Sequence, residues 1–455
     1  MSAPPDWSSL DHAALFAAHL ETSLAATREA LAAGPWPGVI FHAGSETYYH
    51  ADDMPPPFHQ VPHFARFAPV AGPEHLLLVP REGPPRLLRV VAKDFWHEAP
   101  VDPPAWIGPV LELETLDTPH LARQRARELA SDLSSWAYVG NSTSAAESLG
   151  IPPASQEPEA LLRRLDWSRA FKTPYEVACL REACRRAGLG HKAVRAGARE
   201  QESEHRLHLS YLEAVGIVEA QTPYRNIIAW DEHSAVLHYG SKSLQAPQPG
   251  YTLLIDAGAT CHGYASDITR THLRDGSHAV FHECWLGMIR LQDTLVQQVR
   301  PGLSYVALHE AAFRGVTELL CVLGILKVSP DEAFARRFAF PFFPHGLGHH
   351  LGIQVHDVGG KQLAADQGAS APPEDFPWLR TVRPLAEGHV VTIEPGLYFI
   401  PMLLDGFRSG PDAGAFDWTL IDSLVPSGGI RIEDDVLVTA SGHDNLSRPY
   451  LPTRS

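Results

Sequence analysis

No stretch of the sequence approaches the roughly 18 consecutive apolar residues that a bilayer-spanning helix needs, which argues against a membrane protein. Cysteine is scarce. The five present, Cys179, Cys184, Cys261, Cys284 and Cys321, include no CxxC pair and are odd in number. A disulfide framework is therefore not expected, and a reducing compartment is. Positive charge is also short: 37 Lys and Arg face 53 Asp and Glu, a formal net charge of −16. Such a chain repels phosphate backbones, so a nucleic acid partner is not expected. Residues 1–33 lack a basic start and carry Asp6, Asp11, His12 and Glu21. They are not expected to be a secretory signal, and a cytoplasmic protein is expected. Phosphate and nucleophile motifs are missing too. Gly346-Leu347-Gly348 lacks the third glycine of a dinucleotide loop, and Gly359-Gly360-Lys361 lacks the upstream glycine of a phosphate loop. Gly140-Asn141-Ser142-Thr143-Ser144 does not end in glycine and makes no nucleophile elbow.

What is present is a globular composition, 44% hydrophobic and 20% charged over 455 residues, enough for two or three cores. Residues 10–31 predict a helix closed by Gly34-Pro35-Trp36-Pro37-Gly38. Strands are expected at 39–41, 75–79, 87–91 and 136–140, with a helix at 118–133. That alternation predicts an α/β domain over residues 1–165. Thr173-Pro174-Tyr175-Glu176 has the form of a capping box with proline at the first helical position, early in a second domain over residues 166–455. Helices at 202–215, 280–299 and 305–323 mix there with strands at 251–258, 263–272, 390–394 and 430–438, the pattern of an α+β fold. Residues 359–377, rich in glycine and proline, predict a loop.

Several strand-like segments carry groups that bind hard cations. Leu253-Leu254-Ile255 leads to Asp256, and Val390-Val391-Thr392-Ile393 leads to Glu394. Glu433 alternates with Arg431, and Asp267 sits in Gly263-Tyr264-Ala265-Ser266-Asp267-Ile268-Thr269-Arg270. A carboxylate at the end of a core strand is costly unless paired or metal-bound. Taken singly, each reads as a turn cap or half of a salt bridge. Taken together with His345, His349, His350 and His356, they read as a metal centre. The histidine spacing is not the helical His-Glu-x-x-His zinc motif, because the glutamate is absent and Gly346 and Gly348 weaken a helix. A donor set of oxygens and one imidazole, without thiolate, suits Mn²⁺, with Co²⁺, Fe²⁺ or Zn²⁺ as alternatives. Four carboxylates overcharge one ion but balance two, and two ions about 3.5–4 Å apart can share a hydroxide.

In this order the motifs resemble those of the bacterial Xaa-Pro dipeptidases, or prolidases, of the pita-bread metallopeptidase group, whose relatives include the organophosphorus acid anhydrolases. The resemblance is carried by Leu254-Ile255-Asp256-Ala257-Gly258, Tyr264-Ala265-Ser266-Asp267-Ile268-Thr269-Arg270, the 345–349 loop, Thr392-Ile393-Glu394-Pro395-Gly396 and Gly429-Ile430-Arg431-Ile432-Glu433-Asp434. It extends to Pro223-Tyr224-Arg225-Asn226-Ile227-Ile228, to Val236-Leu237-His238-Tyr239, and to Asp52-Asp53 before Pro57-Phe58. It implies a C-terminal pita-bread (creatinase/aminopeptidase) domain behind a smaller, creatinase-like α/β domain. It also implies two divalent metal ions, cleavage of dipeptides ending in proline, and a side activity on organophosphate triesters. By position, Asp256 would chelate one metal, Asp267 and Glu433 would bridge both, and His349 and Glu394 would hold the second. Glu394 would also take a proton from the bridging water. His345, His356 and His238 would contact the substrate or stabilise the oxyanion, and Arg431 would meet the substrate carboxylate. Tyr224, Leu237, Val355 and Leu379 would line the pocket, and Asp53 of a second subunit would close it in a homodimer. His350 and His59 depart from the family pattern, where proline and lysine are usual. Two other readings are an aminopeptidase P acting on longer peptides with proline second, and a metal-free binding module of the same fold.

Overall fold

A computed structural model describes residues 7–96, 98–130 and 132–452. Asp6, and Ser131 at the end of the helix expected over 118–133, lie outside the described residues. The N-terminal part is built on a mixed five-stranded sheet. Its order is Glu112–Leu116, Arg86–Val90, Leu76–Pro80, Gly38–His42 and Ala137–Val139, parallel at the two outer pairs and antiparallel at the two inner ones. The inner strand Gly38–His42 is buried throughout, because both faces are covered. Val39 and Phe41 join a core with the helix His12–Ala32, while Ile40 faces Ala122 and Ala126 of the helix Pro119–Leu129. The edge strand Glu112–Leu116 was not expected from the sequence. Its Glu-Leu-Glu-Thr-Leu run is mostly open to solvent and gives a weak apolar signal.

Asp11 caps the helix His12–Ala32 by accepting from Ala14 N. Phe16 and Leu20 of that helix share one core with Tyr175, Leu180 and Ile268. This core runs across residues 165/166, a position that falls inside the helix Glu159–Arg169. The capping box forms as expected at the head of the helix Pro174–Arg199, with Thr173 N donating to Glu176 Oε2 at 2.8 Å.

Two of the strands expected in the C-terminal part are each broken in two. Tyr264–Ala265 pairs with Thr260–Cys261, whereas Thr269–Leu273 pairs with Thr252–Asp256, whose other edge carries Ile227–Trp230. Gly429–Arg431 pairs with Gly396–Tyr398, whereas Asp434–Val438 pairs with Val390–Ile393. Ile393 faces Asp434 and Gly396 faces Arg431, so residues 394–395 lie opposite residues 432–433. Pro395 has no N–H to give a ladder, and the ladder fails there. The breaks leave Glu394, Glu433 and Asp267 in gaps between strands and Asp256 at a strand end. Behind them, Phe281, Met288, Leu308 and Val316 of the helices Ala279–Gln298 and Tyr305–Val322 pack on Val391, Ile393, Leu397 and Ile430. Among the described residues, no helix is long and apolar enough to cross a membrane.

The buried Arg270 supports this layer, bonding Asp434 at 2.7 Å and the Glu433 carbonyl at 2.6 Å. Replacing it with methionine leaves Asp434 Oδ1 without Arg270, while Oδ2 keeps Arg448, Gln292 and Asn445. We expect Arg270→Met to lower the unfolding free energy by about 3 kcal/mol, the low end for a broken buried pair, because Arg448 remains. Urea unfolding measures this, and a loss below about 1 kcal/mol would contradict the role given to the pair.

Candidate metal centre

The gaps converge. Asp267, His349 and Glu433 are buried and offer ligand atoms that all lie within 4.8 Å of one another. His349 Nε2 stands 3.5 Å from Asp267 Oδ2 and 3.6 Å from Glu394 Oε1. Those gaps are long for hydrogen bonds. Two ligand atoms each about 2.1 Å from one ion stand about 3.0–3.4 Å apart, so the spacing suits a shared cation better. The backbone sets the imidazole. His349 N donates to Thr392 Oγ1 at 3.1 Å, Thr392 N donates to the His349 carbonyl at 2.9 Å, and Glu394 N to that of Leu347 at 2.8 Å. Glycine at 348 permits this zipper, since a Cβ there would lie 2.2 Å from the Thr392 carbonyl oxygen. His349 Nδ1–H donates to the His350 carbonyl at 3.0 Å, which leaves the Nε2 lone pair to face the carboxylates.

The remaining acids are held by named donors. Thr269 Oγ1 donates to Glu433 Oε2 at 2.5 Å, and Glu433 N donates to the Thr269 carbonyl at 3.0 Å. Asp256 accepts from Tyr224 Oη at 2.8 Å and from Arg431 Nη2 at 2.7 Å. Three of the five expected ligands, Asp267, His349 and Glu433, thus gather, Glu394 approaches His349, and Asp256 is linked to them through Arg431 and Thr269. Burial pushes Glu394 up to about 7, with the charges of Asp267 and Asp256 adding to it against the pull of His349 and Arg431. Burial and the neighbouring acids hold Glu433 well above the usual range. Burial raises Asp256 too, although Arg431 opposes it. For Asp267 burial is outweighed by His349, and its carboxyl falls; burial of His349 is likewise outweighed by Asp267 and Glu394, and its imidazole rises. The donor set fits divalent cations: oxygens in excess, one imidazole, no cysteine, and more negative charge than the side chains around it neutralise.

The expected substrate contacts divide. His345 is half-buried with both nitrogens bonded: Nδ1 donates to the Gly346 carbonyl at 2.8 Å, Nε2 accepts from Tyr398 Oη at 2.9 Å, and burial pushes it down to about 3. Arg431 is buried as well. Its nitrogens donate to Asp256, to Tyr398 Oη at 2.9 Å and to Thr269 Oγ1 at 3.2 Å, rather than pointing into open space. A guanidinium beside unbalanced carboxylates is drawn to them. His356 is exposed, with its ring edge-to-face on His349 at 4.4 Å. His238 is exposed too, and its charge acts on the rings of His345 and His356. Leu379 is buried beside His345 and Trp378, and Leu237 and Val355 are half-buried. Asp53 is exposed and takes no part in the contacts described for the centre in this chain. Sequence reasoning missed Tyr398 and Thr392. Strand alternation could have found Tyr398, two residues beyond Gly396 on the same face.

Residues 178–440, over half of the chain, match metallopeptidase family M24. Fold and centre together define a metallopeptidase, and the chain belongs to that family. Within it, residues 14–167 match the N-terminal domain of Xaa-Pro dipeptidase. The Xaa-Pro dipeptidase of Pseudoalteromonas atlantica is 38% identical, over 96% of this chain and 98% of that protein. That of Stenotrophomonas maltophilia strain R551-3 is 39% identical, again over 96% and 98%. Among solved structures, aminopeptidase P from E. coli with the inhibitor Pro-Leu is similar at a TM-score of 0.72 and 25% identity, covering 94% of this chain and 95% of that one.

The electrostatics predict a pH signature. Glu394 has a folded-state value of about 7, above that of an unfolded glutamate. Its contribution to stability in stripped protein is therefore present below the unfolded value of about 4.3 and is lost as pH rises through about 7. Cations remove that penalty. We expect the melting temperature of stripped protein to fall between about pH 4.5 and 7 while that of the loaded protein holds, so the gap widens. A gap of constant size would contradict the charge balance described.

Proposed function

We propose that the protein hydrolyses dipeptides ending in proline, with divalent cations held by Asp256, Asp267, His349, Glu394 and Glu433. The gathering of Asp267, His349 and Glu433, with Glu394 3.6 Å from His349, supports the reading, in a chain similar to Xaa-Pro dipeptidases over nearly its full length. Two cations, Mn²⁺ first and Co²⁺ or Zn²⁺ next, balance four carboxylates, and when bound they acidify water and polarise the scissile carbonyl. Proline's imide nitrogen must gain a proton to leave. Glu394 is suited to move it. Its side chain is 17% exposed, more open than Asp256 at 13% or Asp267 at 8%, and it exchanges protons nearest neutrality. It accepts a proton from the attacking water and passes it to the leaving nitrogen. His356 and His238, on the exposed rim, donate N–H to the developing oxyanion. His345 acts by holding Tyr398, and Arg431 keeps Asp256 aligned; reaching a substrate carboxylate would require Arg431 to release Asp256. Tyr224, Leu237, Val355 and Leu379 shape the pocket.

We also infer a homodimer in which the Asp52-Asp53 segment of a second copy limits the site to dipeptides. Tyr48, Tyr49 and Met54 are exposed around it, and Phe95 and Trp96 form an exposed, tilted ring pair, apolar surface that a second copy would cover. The five free cysteines fit a cytoplasmic setting. We place the division between the two domains near residues 170–173, after the helix Glu159–Arg169 and between the two family matches. A phosphotriester with a good leaving group makes a similar tetrahedral demand, so a side activity on such esters belongs to the same proposal. The likeness to aminopeptidase P favours one second reading, cleavage of longer peptides with proline second.

Stripped enzyme given Mn²⁺, Co²⁺ or Zn²⁺ and a panel of Xaa-Pro and Xaa-Pro-Xaa peptides separates these. Restored turnover concentrated on the dipeptides is expected. Preference for the longer peptides would establish the second reading, and no hydrolysis with any metal would overturn both. Glu394→Gln is expected to lower kcat by about 10²–10⁴-fold. Full turnover with cations bound would remove its proton role.

A further inference from the structure

Away from the metal centre, one buried carboxylate collects four hydrogen bonds from a single loop. Glu204 is 1% exposed and opens the helix Glu204–Val215. Its Oε1 accepts from Trp230 N at 2.9 Å and from His233 Nδ1 at 2.7 Å. Its Oε2 accepts from Tyr239 Oη at 2.7 Å and from Ser243 N at 2.6 Å. Four donors saturate a carboxylate, so Glu204 has no capacity left for a ligand. The rings of His233 and Tyr239 stack at 4.6 Å with 19° between planes, which closes the loop on itself.

Between these anchors lies a tip with little to hold it. Val236 and His238 are exposed and Leu237 is half-buried. The start of the loop is tied separately, because Asp231 accepts from the N–H groups of Gly250, Tyr251 and Thr252 and Ser234 Oγ from Gly429 N. Beyond the tip, Tyr239 and Ser243 are held by Glu204. The Ser234 bond, at 2.7 Å, seats the loop against the metal centre's own strand, since Gly429 starts the strand Gly429–Arg431 that leads to Glu433.

We propose that Glu204 is a positioning residue, which holds the 231–243 loop so that His238 and Leu237 face the bound dipeptide and thereby sets how substrate is held without touching it. The proposal rests on the reading that His238 contacts substrate. Glutamine at 204 keeps one accepting oxygen but sets an amide NH₂ against two donors, so one side of the clamp is lost. Tyr239→Phe removes a single bond.

The test is a double-mutant cycle on Mn²⁺-loaded protein of verified metal content, with kcat and KM read on a Xaa-Pro dipeptide. Glu204→Gln is expected to lower kcat/KM at least about tenfold, with the same split between kcat and KM as His238→Ala. Tyr239→Phe is expected to shift both in the same direction by less. Once His238 is alanine, either change should add no more than about twofold, as coupled sites require. If Glu204→Gln does not fold, Tyr239→Phe carries the same cycle. If His238→Ala alone leaves kcat/KM unchanged, the substrate role of His238 fails, and the proposal with it. If His238→Ala is damaging but the clamp variants are silent, or multiply its loss, the role of His238 stands and Glu204 is a fold residue only.

Discussion

Negative charge that the protein does not itself balance organises this molecule. Asp267 and Glu433 gather with His349, Glu394 lies 3.6 Å from it, and Asp256 is paired with Arg431 beside them. Like charges this close, away from water, raise one another's proton affinity, and three of the four acids rise. Asp267 escapes because His349 lies against it. The surroundings follow from the same force. Tyr224, Thr269 and Thr392 aim hydroxyls at the carboxylates, and Arg431 turns to Asp256. Cations in the gap relieve several groups at once, so the five ligands form one electrostatic unit.

The fold makes room for that unit by interrupting its own strands. A continuous strand sends successive side chains to opposite faces. Glu394 and Glu433 reach the same gap because two paired strands break at matching register, with Pro395 on one side of the break. The loop carrying the histidines is then zipped onto Val390–Ile393 through backbone bonds and the Thr392 hydroxyl.

Buried charge also pins the loops around the centre. Asp357, directly after His356, is held by Arg169 at 2.6 Å and Lys172 at 3.0 Å, residues from the junction of the helices Glu159–Arg169 and Pro174–Arg199. Glu204 does the equivalent for the loop carrying His238. One core joins Phe16 of the first helix to Ile268, next to Asp267, so the N-terminal part helps to build the floor of the centre.

By itself the sequence determined the local elements and the gathering of acidic residues with a histidine, seen at Asp267, His349 and Glu433. The helix His12–Ala32, the capping box at Thr173, the strands ending at Asp256 and Ile393, and the gathering of acids with His349 were legible, because each is written in neighbouring residues. The edge strand Glu112–Leu116 was not, since its charges mask its period. Neither were the breaks at 266–268 and 432–433, because an unbroken apolar alternation reads as one strand. Tertiary structure alone decided which partner each side chain took. It closed His345 onto Tyr398, spent Arg431 on Asp256, and set Glu204 behind His238. Those choices depend on distances between residues tens to hundreds of positions apart, and a local pattern carries no record of the fields and contacts that meet there.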